Sequence, residues 1–328
     1  MRDSLTVVSA ISTGSLPSAD VVAQVLATVH DEVLPVTDGA NSPVYPMLAA
    51  ADPGQFGLSL AGVDGSVHER GDARVGFAMM SVAKPFTFAL VCAALGPERA
   101  RVELGVNATG DAFNAVEPVL DADGRTNPMV NAGAIATCSR VPGASLDARW
   151  RHLLDGLSAF AGRELALDED LYANVMATNV RNRQLTEALA SRGLLVGEPE
   201  DALILYSKQS CVEVTASDLA VMGATLANGG VNPLTGREVI PDALCHYVLA
   251  VMTTAGMYEH SGDWLYDVGL PGKSGIGGGI VVVCPGKCGL GSFSPPLDAA
   301  GNSVRGVRAA SRLSAELGLD LFASRARG

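Results

Sequence analysis

Val75-Gly-Phe-Ala-Met-Met-Ser81-Val-Ala-Lys84-Pro-Phe-Thr-Phe-Ala-Leu-Val-Cys92 is the stretch on which the fold turns. A serine and a lysine three residues apart share a face once the segment is helical. A serine hydroxyl is a weak nucleophile at neutral pH and needs a neighbour to take its proton. Lysine can take it if burial and nearby positive charge lower its pKa enough to leave the amine neutral. Pro85 has no N–H and is tolerated only in a first turn, where the amides are unpaired anyway. The spacing therefore predicts Ser81 at the N-terminal end of a long apolar helix, where free amides and the helix dipole favour developing negative charge. Ser-x-x-Lys also describes a capping serine followed by a solvated lysine, so the rest of the chain has to decide.

Of the 328 residues, 48% are hydrophobic and only 5% aromatic. That is enough for one large domain or two packed subdomains, with Ala, Val and Leu as the filling. A formal net charge of −12 argues against nucleic acid or an anionic membrane surface as the main partner. The amino terminus, Met1-Arg-Asp-Ser-Leu-Thr-Val-Val-Ser9, lacks a signal-peptide core, and no apolar run is long enough to span a bilayer. A cytoplasmic location is expected. Cys92, Cys138, Cys211, Cys245, Cys284 and Cys288 lie in apolar stretches and read as reduced core thiols. No Cys/His pair completes a zinc set around Cys284 and Cys288, and the five histidines show no ligand spacing, so neither metal nor cofactor is expected.

Taken in order, residues 1–17 read as a loose lead-in, and Ser18 caps a helix reaching Val33. Gln55–Val63, the Asp64-Gly65 turn and Ser66–Arg70 predict a β-hairpin. From about Pro97 to Ala255 the pattern turns helical and loses strand signals. Helices are predicted at Ser145–Ala161, Val180–Arg192, Ser217–Ala227 (stopped by Asn228-Gly-Gly230) and Asp242–Thr254. Trp264–Gly269, Gly278–Cys284 and Leu290–Ser294 predict a β-meander, and Asn302–Leu317 a closing amphipathic helix. The expected architecture is an α/β (α+β) domain spanning 1–328. One antiparallel sheet flanked by helices is drawn from 1–96 and 256–328, with a helical part at 97–255 and a cleft where they meet.

Gly272-Lys273-Ser274-Gly275 supplies a second lysine at the edge of the returning strands. Lys-[Ser/Thr]-Gly accompanies Ser-x-x-Lys in serine acyl-transferring enzymes of the penicillin-binding class. A second ammonium near Lys84 would lower its pKa, and small residues let a strand approach substrate. Gly275-Ile-Gly-Gly-Gly279 runs into a strand without Gly-Lys-[Ser/Thr], which argues against a phosphate loop. Asn127-Pro-Met-Val-Asn131 and Thr178-Asn-Val-Arg181-Asn182-Arg183 place carboxamides among apolar residues. Such asparagines also serve as plain turn formers. Tyr206 and Tyr258 read either as core tyrosines or as phenols able to relay the serine's proton.

Together these segments resemble the serine-dependent glutaminase family, which shares the fold of serine β-lactamases and penicillin-binding transpeptidases. The resemblance runs from about Gly71 to Val307. It is carried by Ser81-Val-Ala-Lys84, Asn127-Pro-Met-Val-Asn131-Ala-Gly-Ala-Ile135, Arg181-Asn-Arg183 and Tyr206-Ser-Lys-Gln209. It continues through Gly256-Met-Tyr258 and Val268-Gly-Leu-Pro-Gly-Lys-Ser-Gly-Ile276. It implies Ser81 as nucleophile and Lys84 as its base, with Tyr258 and Lys273 completing the catalytic set. Asn131, Asn182, Tyr206 and Tyr258 match substrate-binding positions. Ile276 takes the place of a valine whose backbone amide binds substrate, an oxyanion donor alongside the amide of Ser81. The implied activity is hydrolysis of the side-chain amide of L-glutamine to glutamate and ammonia through a Ser–Lys acyl-enzyme. Family members commonly assemble from identical subunits, so a dimer or tetramer is implied.

Three departures stand out. Met80 replaces a glutamine before the nucleophile, and Asn107-Ala-Thr-Gly110 replaces Glu-Pro-Ser-Gly. The motif Ser-Glu-x-x-Thr-Gly-x-Arg-Asn-Arg reads Asn174-Val175-Met-Ala-Thr-Asn-Val-Arg-Asn-Arg183. The family's substrate-binding glutamate therefore falls on Val175, and Asp168-Glu-Asp170 lies out of register to replace it. The alternatives are an amidohydrolase or acyl transferase on a glutamine-related amide lacking a free α-ammonium, or a non-catalytic binding protein on the same fold.

Overall fold

The structure is a computed structural model describing residues 15–121 and 123–324; the expected lead-in up to residue 14 lies outside them. Its strands are β1 (Gly57–Gly62), β2 (Val67–Gly71), β3 (Phe77–Ala78), β4 (Ala166–Leu167), β5 (Val212–Val214), β6 (Gly272–Ser274), β7 (Gly279–Cys284) and β8 (Cys288–Phe293). Five form an antiparallel sheet in the order β2-β1-β8-β7-β6, and three form a ribbon in the order β3-β5-β4. The large sheet thus joins the early hairpin to the last strands. Asp64 closes the hairpin by accepting from both the N–H and the hydroxyl of Ser66.

Both faces of the sheet are covered, which is why β7 reads as a continuous apolar run. On one face Leu58, Leu60, Val282 and Leu290 pack with Val22, Leu26 and Leu313 from helices Ala19–Val33 and Val304–Leu317. On the other lies helix Ala216–Ala227, capped by Thr215 and Asp218 in a reciprocal box. Its backbone comes so close that a Cβ on Gly291 would sit 1.9 Å from the Ala216 carbonyl oxygen. Only glycine permits that approach.

Three expectations need correction. Trp264–Gly269 is not a strand but the end of helix Ser261–Val268. Trp264 and Val268, four apart, are buried while Tyr266 between them is 92% exposed, which is helical rather than alternating spacing. The Trp264 indole N–H donates to the Leu270 carbonyl, fixing the turn that leads into β6. Nor is the central region without strands: β4 and β5 lie within it, too short to show a period. Finally, Ser81 lies on a 3₁₀ turn, Met80–Ala83, that feeds helix Lys84–Leu95, rather than in the α-helix itself. Among the described residues no single helix is long and apolar enough to cross a membrane.

Candidate active site

The 3₁₀ turn gives Ser81 and Lys84 their relation. The Lys84 N–H donates to the Ser81 carbonyl, and Pro85 then opens the α-helix, whose residues are buried as far as Cys92. Met80 immediately before Ser81 has φ 47°, and Tyr258 has φ 55°; no other non-glycine residue among those described has positive φ. Such conformations cost of order 1–3 kcal/mol each and persist only where the surroundings enforce them. Both flank the same hydroxyl.

Lys84 is 2% exposed. Its Nζ donates to Asn131 Oδ1 at 2.7 Å and to the Met129 carbonyl at 3.2 Å. Burial lowers its pKa to about 7. Sequence reasoning expected a second ammonium to help; in the structure the cause of the Lys84 shift is burial. Lys273 is itself completely buried and pushed well below the usual lysine range, first by burial and then by the charge of Lys84. Its Nζ donates to the carbonyls of Ser274 at 2.6 Å and Gly256 at 3.0 Å and sits 4.3 Å over the Tyr258 ring. Lys273 thus packs against the Tyr258 ring with its amine held by two backbone carbonyls.

Tyr258 donates its hydroxyl to the Ser274 carbonyl at 3.1 Å, and its ring packs against Phe113 at a tilt of 39°, with the centroids 4.5 Å apart. Burial raises its phenol above the ordinary tyrosine range, partly offset by a hydrogen bond with Ser81. The phenol therefore stays protonated near neutral pH and faces the serine.

A cleft opens in front of Ser81, lined also by Asn131, Asn182, Tyr206 and Ile276. The turn carrying Ile276 runs close to the serine: a Cβ on Gly275 would lie 3.3 Å from the Ser81 backbone nitrogen. Among the described residues, the backbone N–H groups of Ser81 and Ile276 have no acceptor within the chain. Both residues line the cleft.

The cleft also contains residues that sequence reasoning did not single out: Tyr45, Phe113, Asn179 and Ser207. Tyr45, whose phenol burial pushes up to about 12, comes from a Pro/Gly/Asn-rich connection that gave no helix or strand signal. Its one clue was an aromatic ring in a ring-poor chain. Val175 is buried on helix Glu169–Thr178, against Tyr45, Met80, Leu171 and Cys211. No carboxylate lines the cleft among the described residues. Asp168 caps the far end of the Val175 helix, accepting from the Leu171 N–H, and Arg181 is held by the Asn114 carbonyl.

The glutaminase family model matches residues 39–322. Glutaminase 2 of Yersinia pestis is 54% identical over 319 residues, covering 97% of this chain and 94% of its own. The glutaminase of Mycobacterium ulcerans (strain Agy99) is 46% identical over 285 residues, covering 87% and 89% respectively. A solved structure described as the probable glutaminase ybaS superposes with a TM-score of 0.92 at 36% identity, covering 94% of this chain and all of that one. Mglu in its glutamate form gives 0.87 at 40% identity, covering 92% and 70%.

Proposed function

The chain belongs to the glutaminase family, with its serine β-lactamase-like fold, and from that premise we propose how its residues carry out the reaction. It is a hydrolase that converts L-glutamine to glutamate and ammonia. Ser81 Oγ attacks the side-chain carbonyl carbon while its proton passes to Lys84 Nζ. The carbonyl oxygen, now negative, is met by the free N–H groups of Ser81 and Ile276. Tyr258 relays the proton to the leaving nitrogen, the C–N bond breaks, and ammonia departs from a Ser81 acyl ester. Water, deprotonated by Lys84, then releases glutamate. Asn131, Asn182 and Tyr206 line the space that holds the substrate.

The observation that supports this reading best is the bonding of Lys84: a buried amine at a pKa of about 7, one turn from a serine. The test is ammonia release by purified Ser81→Ala, together with intact-mass detection of an acyl adduct during native turnover. An active Ser81→Ala enzyme would refute the mechanism.

Val175 favours a second reading, that the enzyme prefers a glutamine whose α-nitrogen is uncharged. An ammonium entering this cleft meets phenols and carboxamides but no carboxylate, and Val175 offers no acceptor. The relative kcat/KM for L-glutamine and an α-N-acylated analogue decides it. The same proposal reads 1–328 as one catalytic unit, cytoplasmic and assembled from identical subunits. The six buried cysteines, which form no disulfide, support a reducing compartment, and light scattering would measure the assembly.

A further inference from the structure

A phenol that hands on a proton must point the same way at every turnover, and no regular helix holds Tyr258. It opens the 3₁₀ turn Tyr258–His260 with φ 55°, a conformation that persists only where its surroundings enforce it. Part of the enforcement is local. The Ser261 hydroxyl accepts from the Met257 N–H at 3.1 Å and donates to the Tyr258 carbonyl at 2.7 Å. The rest comes from a turn distant in the chain, residues 298–302.

Asp298 builds that turn. Its Oδ1 accepts from the backbone N–H groups of Ala300, Gly301 and Asn302, each at 2.9 Å. Two backbone bonds close the same turn, from the Asp298 N–H to the Asn302 carbonyl at 2.8 Å and from the Gly301 N–H to the Asp298 carbonyl at 3.1 Å. A carboxylate oxygen accepts and a backbone N–H donates, so this set of bonds has one direction. The turn meets Tyr258 and its neighbours at three points. Asn302 Nδ2 donates at 3.4 Å to the carbonyl of Met257, directly before Tyr258. Asp298 Oδ2 lies 3.5 Å from Nδ1 of His260, at the other end of the 3₁₀ turn. Gly301, at φ 99°, comes so near the phenol ring that a Cβ there would lie 3.5 Å from Tyr258 Cε2.

We propose that Asp298 is a positioning residue: it orders the turn that clamps both ends of the Tyr258 segment and so keeps the phenol aimed at the leaving nitrogen. The proposal rests on the reading of Tyr258 as the group that protonates that nitrogen. Phe113 and Lys273 pack against the ring itself, whereas the Asp298 turn holds the backbone that aims it. The same Cβ position on Gly301 lies 3.5 Å from the Ile276 side chain. The Ile276 backbone, however, belongs to residues 275–279, closed by bonds from the Gly275 N–H to the Gly279 carbonyl and from the Gly278 N–H to the Gly275 carbonyl, both 2.9 Å. An amide offered to the oxyanion there does not depend on Asp298, so the effect should fall on proton donation.

Leaving groups separate the two. Ammonia cannot depart without a proton and p-nitrophenolate can, so L-glutamine needs Tyr258 more than the γ-(p-nitrophenyl) ester of glutamate does. Asp298→Ala should lower kcat/KM for L-glutamine by roughly 10-fold or more, and for the ester by less than about 3-fold. Asp298→Asn, whose Oδ1 still accepts all three N–H groups, should recover most of the loss. Tyr258→Phe should split the substrates in the same sense, and adding Asp298→Ala to it should cost little more, because the two act as a unit. Asn302→Ala removes the bond to Met257 and leaves Asp298 in place. It should give the same split, and it reports equally if Asp298→Ala does not fold. An undiminished Asp298→Ala enzyme, equal losses on amide and ester in folded variants, or losses that multiply on Tyr258→Phe overturn the clamp. Full glutamine turnover by Tyr258→Phe would instead overturn the reading beneath it.

Discussion

The two walls of the cleft differ in kind. One is built from the Met80–Ala83 turn, helix Lys84–Leu95 and β6, and holds Ser81, Lys84 and Lys273 with Tyr258 beside them. Its polar groups are buried, bonded to backbone carbonyls and shifted toward neutrality. The other is built from helices Glu169–Thr178, Val180–Ser191 and Pro199–Ser210, and holds Val175, Asn179, Asn182, Tyr206 and Ser207. There the side chains bond mainly to one another. The first wall keeps the Ser-x-x-Lys and Lys-Ser-Gly pattern of the family. The second departs from it at Val175 and at Asn179, where the family motif has glutamate and glycine. On the proposed reading, bond making belongs to the first wall, and the departures from the family motif fall on the second.

The largest effect should come from breaking the first wall. Ser81→Ala should lower kcat by roughly 10⁴-fold or more, and Lys84→Ala nearly as much, with the double variant no worse than either because the pair acts as a unit. Steady-state ammonia release measures all three. Tyr258→Phe should cost on the order of 10²-fold, the scale of one general acid. Because Lys84 must be neutral to act, kcat/KM should rise with pH through about 7. Lys273→Met should lower the rate by displacing Tyr258 yet leave that limb where it is; a limb shifted to higher pH would mean that a charge on Lys273 holds the pKa of Lys84 down.

On the second wall, Val175→Glu should raise kcat/KM for free L-glutamine relative to an α-N-acylated analogue by roughly 10–150-fold, the equivalent of one charge-assisted contact. A native preference for free glutamine that Val175→Glu leaves unimproved would erase the contrast between the walls. The smallest effect is on stability. Lys84 has a pKa of about 7 in the folded chain against 10.5 as a model group, so the unfolded chain binds the extra proton between those values. Its contribution to stability is complete above about pH 10.5 and is lost as pH falls through about 7. Lys84→Met should flatten that part of the stability–pH curve and raise Tm at pH 7 by a few degrees, as calorimetry would record.

Much of this was legible in the chain itself. Ser18 and Ser145 stand at helix starts, though only Ser145 caps with its side chain, Asp64-Gly65 marks the first hairpin, and the apolar run Gly279–Cys284 marks a strand. These signals are local, because caps, turns and burial periods are written within a few residues. Ser81 and Lys84 are legible for the same reason: three residues set their relation. Trp264–Gly269 was misread because a short apolar run does not state its period, and the choice fell to the bond from Trp264 to Leu270. The electrostatics also waited on packing. Lys273 looks like an ordinary charge beside Lys84 in the sequence, and only the structure shows it completely buried, with its pKa pushed down by that burial. A series of side-chain hydrogen bonds joins residues 131, 182, 179 and 207, contributed by separate helices and the junction between two of them. Hydrogen bonds between side chains distant in sequence depend on where whole elements come to rest, and no local pattern records that. The sequence by itself determined which residues are candidates for the chemistry; the tertiary structure alone decided their burial, their bonding and the neighbours that hold them.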